Sequence, residues 1–194
     1  YGSGVIVSPE GVLLTNNLTR PTVDSDADKT LIRHCTIADN VLSGQHVLRI
    51  VESGTPGFDH GASITNSIIA QPGKTSLDLG GAAVQTIITH VMATEVSSLK
   101  PDSAFGTVFN GNPQFASPAG GDYRPGALSE AIDYAPIVLP DGSTDGIQAD
   151  ALRLVRTVDL PWRVDITGTR DLGAFELQSS TPAPTDAIFE NSYE

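Results

Sequence analysis

A short pattern of alternating apolar and polar residues recurs along the first half of this chain. Its copies occupy residues 14–18, 31–38, 63–70 and 87–93. Each copy has an apolar anchor residue: Leu14, Ile32, Ile64 and Ile88. The mean spacing of the anchors is about 25 residues, within the range of roughly 20–50 that is typical of stacked repeats. One copy cannot bury its own apolar face, but stacked copies can, so the pattern predicts a repeat of stacked β-strands.

The two central copies are each followed by a second short strand. Residues 47–50 begin 15 positions after Ile32, and residues 77–79 begin 13 positions after Ile64. Glycine and proline supply 19 and 13 of the 194 residues, and aromatic residues only 6%. Such a composition favours short strands separated by turns. We therefore expect an all-β chain, a parallel β-helix (solenoid) of about four coils with a loop-rich C-terminal cap.

The predicted organisation has three parts. Coils occupy residues 1–100, the cap residues 101–180, and a Pro-containing linker with a tail residues 181–194. Residue 1 is Tyr and residues 4–7 already have a strand pattern, so we expect upstream coils of the same parent chain. The expected core residues are Ile32, Ile37, Val47, Leu48, Ile50, Ile64, Ile69, Leu77, Ile88 and Val91.

One polar position recurs in every copy of the repeat, two residues after the anchor. It is occupied by Asn16, His34, Asn66 and His90. Equivalent positions of stacked coils lie above one another, about 4.8 Å apart. We expect a structural ladder of amide and imidazole groups that hydrogen-bond along the stack. A functional stripe of polar residues is the alternative.

The charge of the chain excludes several classes of partner. It has 11 Lys and Arg against 23 Asp and Glu, a net charge of −12. Such a chain repels phosphate backbones and anionic lipid surfaces, so we expect no nucleic acid and no anionic membrane surface as partners. No apolar run reaches the roughly 18 residues of a membrane span. Cys35 is the single cysteine, which precludes an internal disulfide and suits a small core residue.

Four motifs in the second half of the chain carry a resemblance to a known group. They are Asn-Pro-Gln-Phe at 112–115, Gly-Asp-Tyr-Arg at 121–124, Ala-Ile-Asp at 131–133 and Gly-Thr-Arg-Asp-Leu-Gly-Ala-Phe-Glu at 168–176. The series resembles the C-terminal tail of secreted bacterial right-handed parallel β-helix proteins, the choice-of-anchor or polymorphic-outer-membrane-like group. The resemblance covers about residues 10–178 and implies a right-handed helix that is secreted or at the cell surface. The chain departs from the pattern at Arg124, where Leu is usual, and at Glu130, where Pro is usual.

The tail motifs also have a direct physical interpretation. Apolar anchors recur through a region that otherwise lacks periodicity: Phe115, Tyr123, Ile132, Leu172 and Phe175. We expect them to lie across the open last coil and to cover its unpaired strand edge. Charged residues beside them are expected to hold the loops together: Asp122, Arg124, Asp133, Arg170 and Asp171.

An acidic run near the start of the chain is a candidate metal site. Asp24, Asp26 and Asp28 alternate with small residues, as at the start of a calcium loop. An EF-hand needs Gly and Glu where this chain has Lys29 and Cys35, so the run is not an EF-hand. A looser Ca²⁺ site in a turn and a solvated acidic turn both stay open.

The candidates for catalysis come from analogies with carbohydrate-active enzymes. His60 lies in a His-Gly-Ala-Ser-Ile stretch similar to that of pectin-hydrolysing β-helix enzymes, but the paired carboxylates that such enzymes need do not precede it. A lyase on this scaffold would need a base and a cation for the uronate, for which His34 and Arg49 are available. No nucleophile elbow, phosphate loop or Cys-x-x-Cys motif is present.

These observations favour a non-catalytic extracellular or cell-surface module that belongs to a larger protein. It would serve as a scaffold or bind a polysaccharide or cell-surface glycan, without a cofactor unless Ca²⁺ binds. The alternative is a polysaccharide lyase or glycoside hydrolase whose groove runs along the coils. A trimerising adhesin fragment is a third reading and predicts a large exposed apolar face.

Overall fold

A computed structural model describes residues 30–39, 46–51, 62–80, 87–94, 104–105, 108–139, 142 and 144–178 of the chain. Within these ranges the chain is rich in strands, as predicted, and the only helix is a 3-10 turn at Pro118–Gly120. The strands are β1 (Thr30–Arg33), β2 (Thr36–Ala38), β3 (His46–Val51), β4 (Ala62–Ala70), β5 (Thr75–Gly80), β6 (Ile87–Ala93), β7 (Ala104–Phe105), β8 (Val108–Asn110), β9 (Phe115–Ser117) and β10 (Asp122–Pro125).

The strands of the first half alternate between two parallel sheets. In sheet A, β4 pairs with β1, β2 and β6, and β6 pairs with β7 and β8. Sheet B contains β3 and β5. The predicted anchors share one register, because Ile32 pairs with Ile64 and Ile64 with Ile88. The predicted second strands are confirmed as β3 and β5.

The recurrent polar position is the point at which the strands of sheet A bend. The described members of the set share a left-handed backbone: His34 at φ 47°, Asn66 at 51° and His90 at 52°. Among residues with a Cβ, Asn, Asp and His adopt this conformation most readily. The pairings on either side bring the three bends into register, as the ladder prediction requires. Asn16 lies outside the described residues.

Sheet A is buried on both faces. One face contributes the inner core, formed by Ile32, Ile64, Ile69, Ile88 and Val91, against which Val47 and Leu48 of sheet B pack. Ile37 is also buried. The predicted core is therefore confirmed at six buried positions, and Val47 and Leu48 are half-buried against it. The side chains of Ile50 and Leu77 lie outside the described part. The opposite face contributes an outer layer, formed by Ile68, Ala70, Met92, Ala131, Tyr134, Ala135 and Leu172.

The outer layer exists because the C-terminal segment (residues 111–178) packs against the side of sheet A. The backbone N–H of Gly173 donates to the Asn66 carbonyl at 2.9 Å. The next N–H, of Ala174, donates to the Thr36 hydroxyl at 3.0 Å. These contacts reach β2 and β4, whereas the predicted position was across the open last coil and its unpaired strand edge. The outward side chains of Ile68 and Met92 are apolar and need a cover along the whole sheet.

Candidate functional site

The residues proposed from the sequence are dispersed or lie outside the described part of the chain. His34 follows β1, and Arg49 lies on β3, where it pairs in register with Asp78. The side chain of Arg49 is outside the described part. His60 and the acidic run Asp24, Asp26 and Asp28 also lie outside it, so their candidate roles stay predictions.

His34 is part of a buried network of charged and polar side chains. Its Nε2 contacts the Asp145 carboxylate, and its Nδ1 lies 2.9 Å from Nη1 of Arg156. Arg156 also donates to the carbonyl oxygens of Gly173 and Ala174, at 3.0 and 2.8 Å. Every ionisable member is buried: His34, Asp145, Arg156 and Arg170. The network joins the bend of sheet A to the C-terminal segment.

The geometry determines the protonation of His34. A guanidinium can only donate, so Nδ1 accepts from Arg156 and Nε2 carries the hydrogen that is donated to Asp145. Burial lowers the pKa of His34, with a contribution from the charge of Arg156, which also favours the neutral ring. For Asp145, the bond from His34 and the charge of Arg170 outweigh the effect of burial and lower the pKa to about 2.

His34 and Asn66 therefore stack in register, as the ladder prediction requires. The predicted hydrogen bond between their side chains is not formed. The Asn66 amide nitrogen lies 3.3 Å from Nε2 of His34, but both atoms carry hydrogens and repel. The amide instead faces the Asp145 carboxylate at 3.3 Å and the Pro136 carbonyl at 3.4 Å. With both ring nitrogens engaged and 6% of the residue exposed, His34 has a structural role in this fold.

Buried carboxylates hold the loops of the C-terminal segment. Asp171 accepts from the N–H groups of Asp133 and Leu177, at 2.9 and 2.6 Å. Glu176 accepts from those of Val158 and Asp171, both at 3.0 Å. In a region with few ladder bonds, these oxygens satisfy amides that would otherwise be unpaired. The predicted role of Asp171 in holding the loops is confirmed, and Glu176 shares it.

We expect the protein to lose stability as the pH rises from 6.5 to 8. Burial raises the pKa of Asp171, and burial with the charge of Asp171 raises that of Glu176 to about 8. The folded chain then holds more protons than the unfolded chain, so a rise in pH favours unfolding by about 1.4 kcal/mol per proton and pH unit. Thermal unfolding at several pH values measures this change.

The matched variant for this measurement is Glu176→Gln, which replaces the titrating carboxyl by a neutral amide of the same shape. We expect a much flatter dependence of Tm on pH in this variant over the same window. Below pH 6.5 the buried neutral His34 acts in the opposite sense, because the unfolded ring takes up a proton there. Parallel curves for the two proteins would contradict the assignment.

A groove of about 710 Å³ lies at the carboxyl ends of the strands of sheet A. One wall contains residues at the ends of four successive strands: Asp39, Ala70, Thr94 and Asn110. The strands are about 4.8 Å apart, so this wall is roughly 14 Å long. The other wall consists of residues 111–115, Pro118 and Glu130. The groove therefore crosses the strands and follows the direction in which they stack.

The motif at 112–115 shapes the second wall. The Asn112 side chain accepts from the Gln114 N–H at 2.9 Å, which closes a tight turn around Pro113. Gln114 adopts a left-handed backbone at φ 46° and donates from its amide to the Leu128 carbonyl at 3.3 Å. The turn places Phe115 at the groove. Its ring packs edge-on against that of Tyr123, with 5.4 Å between the ring centroids.

The lining is mixed: its surface is more apolar than polar, and it combines polar side chains with one aromatic ring. Asp39 has a left-handed backbone at φ 48°, and burial together with the charge of this carboxylate raises the pKa of Tyr123. The amide nitrogen of Asn110, in the orientation that satisfies both of its neighbours, donates to the carbonyls of Ala93 and Thr94 at 3.0 and 2.8 Å. Asp39 and Glu130 are exposed. The groove thus offers amide, hydroxyl and carboxylate groups beside an aromatic ring.

Sequence analysis did not identify the groove residues, although the repeat contained a signal. Each described copy of the repeat ends in alanine followed by a polar residue: Ala38-Asp39, Ala70-Gln71 and Ala93-Thr94. In a stacked repeat, these polar residues lie at one edge of the sheet. Glu130 follows Ser129 in a loop and had no such signal.

A scan against protein-family models finds no family that matches this chain, and searches of curated proteins and of solved structures find no significant match. Within the described ranges, no helix has the length and apolar character needed to cross a lipid bilayer. The resemblance of the tail motifs to secreted β-helix proteins stays a prediction. The motif residues themselves have structural roles in this chain, as the bonds of Asn112, Asp171 and Glu176 show.

Proposed function

We propose that this chain is a non-catalytic extracellular or cell-surface module that binds a polysaccharide or cell-surface glycan in the groove beside sheet A. The observation that carries the proposal is the groove of about 710 Å³, whose mixed lining combines carboxylate and amide side chains with apolar surface and one aromatic residue. Its volume lies within the range of roughly 300–1,000 Å³ that is typical of ligand sites. Amides and carboxylates pair with sugar hydroxyls, and an aromatic face packs against the apolar side of a sugar ring.

The proposed architecture is a right-handed parallel β-helix of about four coils that forms part of a larger protein. Strands that alternate between two parallel sheets, with anchors in one register, support a solenoid. Crossovers between parallel strands are right-handed in nearly all proteins, which supports the handedness. A groove that follows the stacking direction suits an extended ligand, since each of four successive strand ends contributes a lining residue.

A glycoside hydrolase is a second candidate, and one observation favours it. Asp39 and Glu130 are two carboxylates that line the same groove. Glycosidic cleavage requires an acid together with a base or nucleophile, usually two carboxyl groups. His34 does not line this groove, so the candidate enzyme would use residues other than those proposed from the sequence.

We expect Glu130→Ala to weaken glycan binding by about tenfold or more, a loss of roughly 1.4 kcal/mol. Glu130 is exposed, so its removal should leave the fold intact. Binding is measured by affinity electrophoresis against a panel of neutral and acidic polysaccharides, with chelator present. Asp165→Asn is the control, because it changes an exposed carboxylate that does not line the groove.

The outcomes separate the two candidates. The binding module is supported if one polysaccharide retards the wild type. Glu130→Ala should then abolish this retardation, and Asp165→Asn should preserve it. Release of new reducing ends by the wild type, lost in both Asp39→Asn and Glu130→Gln, would replace it with the hydrolase. Retardation by no member of the panel would contradict both.

A further inference from the structure

Three carboxylates converge on one side of the C-terminal segment, away from the groove. The side chains of Asp133, Asp159 and Asp165 each offer an oxygen, and these atoms all lie within 4.8 Å of one another. Two ligands on opposite sides of one Ca²⁺ ion, each at about 2.4 Å, are themselves about 4.8 Å apart. The oxygens therefore occupy a volume in which a single cation could contact all three.

Asp133 supplies the observation that points to a ligand. The residue is fully buried, at 0% exposure, and its Oδ1 has no hydrogen-bond partner among the described residues. Its other oxygen, Oδ2, accepts from the Leu160 N–H at 3.3 Å. A buried carboxylate oxygen without a partner loses its hydration and gains nothing in return, unless a cation contacts it.

The backbone holds the two exposed members against the buried one. Leu160, which follows Asp159, donates its N–H to the Asp133 side chain, and Ile166, which follows Asp165, donates to the Asp133 carbonyl at 3.1 Å. The backbone beside both aspartates is thus held in place, which reduces the ordering that a ligand must impose.

Among the described residues, the negative charges of the cluster are not fully balanced by cations. Burial raises the pKa of Asp133 to about 6, with contributions from the charges of Asp165 and Asp159. Arg163 is the cation whose charge acts in the opposite sense. Its Nη2 donates to the Ser129 carbonyl at 2.6 Å. The charge of Arg163 thus acts against a cluster of three carboxylates, while its guanidinium donates to a carbonyl.

We propose that Asp133, Asp159 and Asp165 form a Ca²⁺ site that stabilises the C-terminal segment. The donors are all carboxylate oxygens, which select hard cations over zinc or copper. Ca²⁺ accepts six to eight oxygens in flexible geometry, so water completes the shell on the exposed side. The site is distinct from the acidic run at residues 24–28, which was the candidate from the sequence. It is also independent of glycan binding in the groove.

The test uses the full chain, freed of metal with chelator, and titrates CaCl₂ while thermal unfolding is followed. We expect Tm to rise with a Kd on the order of 10⁻⁴–10⁻³ M, the range of extracellular calcium modules. Asp159→Asn and Asp165→Asn should each weaken this affinity by about tenfold or more, because each removes one anionic ligand. Both residues are exposed, so the variants should fold. Glu130→Gln is the matched control and should respond to calcium as the wild type does.

Terbium gives a second measurement that localises the ion. Trp162 is the only tryptophan of the chain and lies between Asp159 and Asp165 in the sequence. Excitation of its indole should produce Tb³⁺ luminescence that Ca²⁺ displaces and Asp165→Asn abolishes. Trp162→Phe should abolish the luminescence and keep the rise of Tm with Ca²⁺.

The remaining outcomes overturn the proposal. An equal rise of Tm with Ca²⁺ in the wild type and in Asp159→Asn and Asp165→Asn would place the ion elsewhere. If Asp26→Asn then abolished the rise of Tm with Ca²⁺, the ion would be assigned to residues 24–28. A wild type with neither a rise of Tm nor terbium luminescence at millimolar metal has no Ca²⁺ site. None of these results bears on glycan binding, which is measured in chelator.

Discussion

Replacing Arg156 with alanine should lower the free energy of unfolding by about 3–5 kcal/mol, the cost of breaking a buried ion network by removing one partner. The guanidinium donates to Nδ1 of His34 and to the carbonyls of Gly173 and Ala174. Its loss leaves Nδ1 of His34 and the Gly173 carbonyl without these donors, whereas the Ala174 carbonyl still accepts from the Ala151 N–H. It also removes the cation whose charge acts on the buried carboxylates Asp150, Asp171 and Glu176.

Chemical denaturation of the wild type and the variant measures this loss, and the chain offers a matched control. Arg124 is an arginine whose guanidinium pairs with Asp122 at 2.6 Å, but these two side chains are 54% and 27% exposed. Arg124→Ala should cost no more than about 1 kcal/mol, because water and salt screen an exposed pair. Similar small losses for both variants would show that the buried network does not join the C-terminal segment to sheet A.

Gly173→Ala should destabilise the protein by about 2–5 kcal/mol and loosen the C-terminal segment from sheet A. Gly173 has φ 89°, and a Cβ there would lie 2.5 Å from Oγ1 of Thr36 and 2.9 Å from Cδ1 of Ile68. A left-handed backbone costs a residue with a Cβ about 1–2 kcal/mol. Overpacking against the sheet adds about 1–3 kcal/mol. Denaturation measures the total, and limited proteolysis reports whether residues 144–178 become accessible.

The control for this variant is Gly121→Ala. Gly121 has a similar backbone, at φ 78°, but a Cβ there would meet nothing within 4 Å. The Gly121→Ala variant should therefore lose only the stability that a left-handed backbone costs. The difference in unfolding free energy between the two variants then measures the contact of residue 173 with sheet A. Equal losses would mean that the segment does not press against Thr36 and Ile68 in solution.

The repeat made the inner core predictable, because burial on that face depends on a local pattern. Ile32, Ile64 and Ile88 were identified from spacing alone and are paired in register. Of the outer layer, Leu172 and the adjacent Phe115 were predicted as apolar anchors, but the face of the sheet that they cover was not, although Ile68 and Ile69 are consecutive apolar residues in one strand. Two such neighbours point to opposite faces and indicate a sheet that is covered on both sides.

The groups that meet across long separations in the chain could not be predicted. His34 and Asp145 are 111 residues apart in sequence, and His34 and Arg156 are 122 apart. No periodicity connects such residues, and each alone has the pattern of a polar loop or a bend. The recurrence of Asn and His at one position was detected, but its main cause is the left-handed bend.

The contact between Ala174 and Thr36 joins residues 138 positions apart, and this affects how the chain reaches its native state. Closing so large a loop is entropically costly, and chains dominated by distant contacts fold slowly. During synthesis, Ile68 and Met92 emerge long before the residues that cover them. The apolar side of the unfinished sheet stays exposed to other chains until Ala131, Tyr134 and Ala135 and then Leu172 have been made, which makes this interval the one most exposed to aggregation.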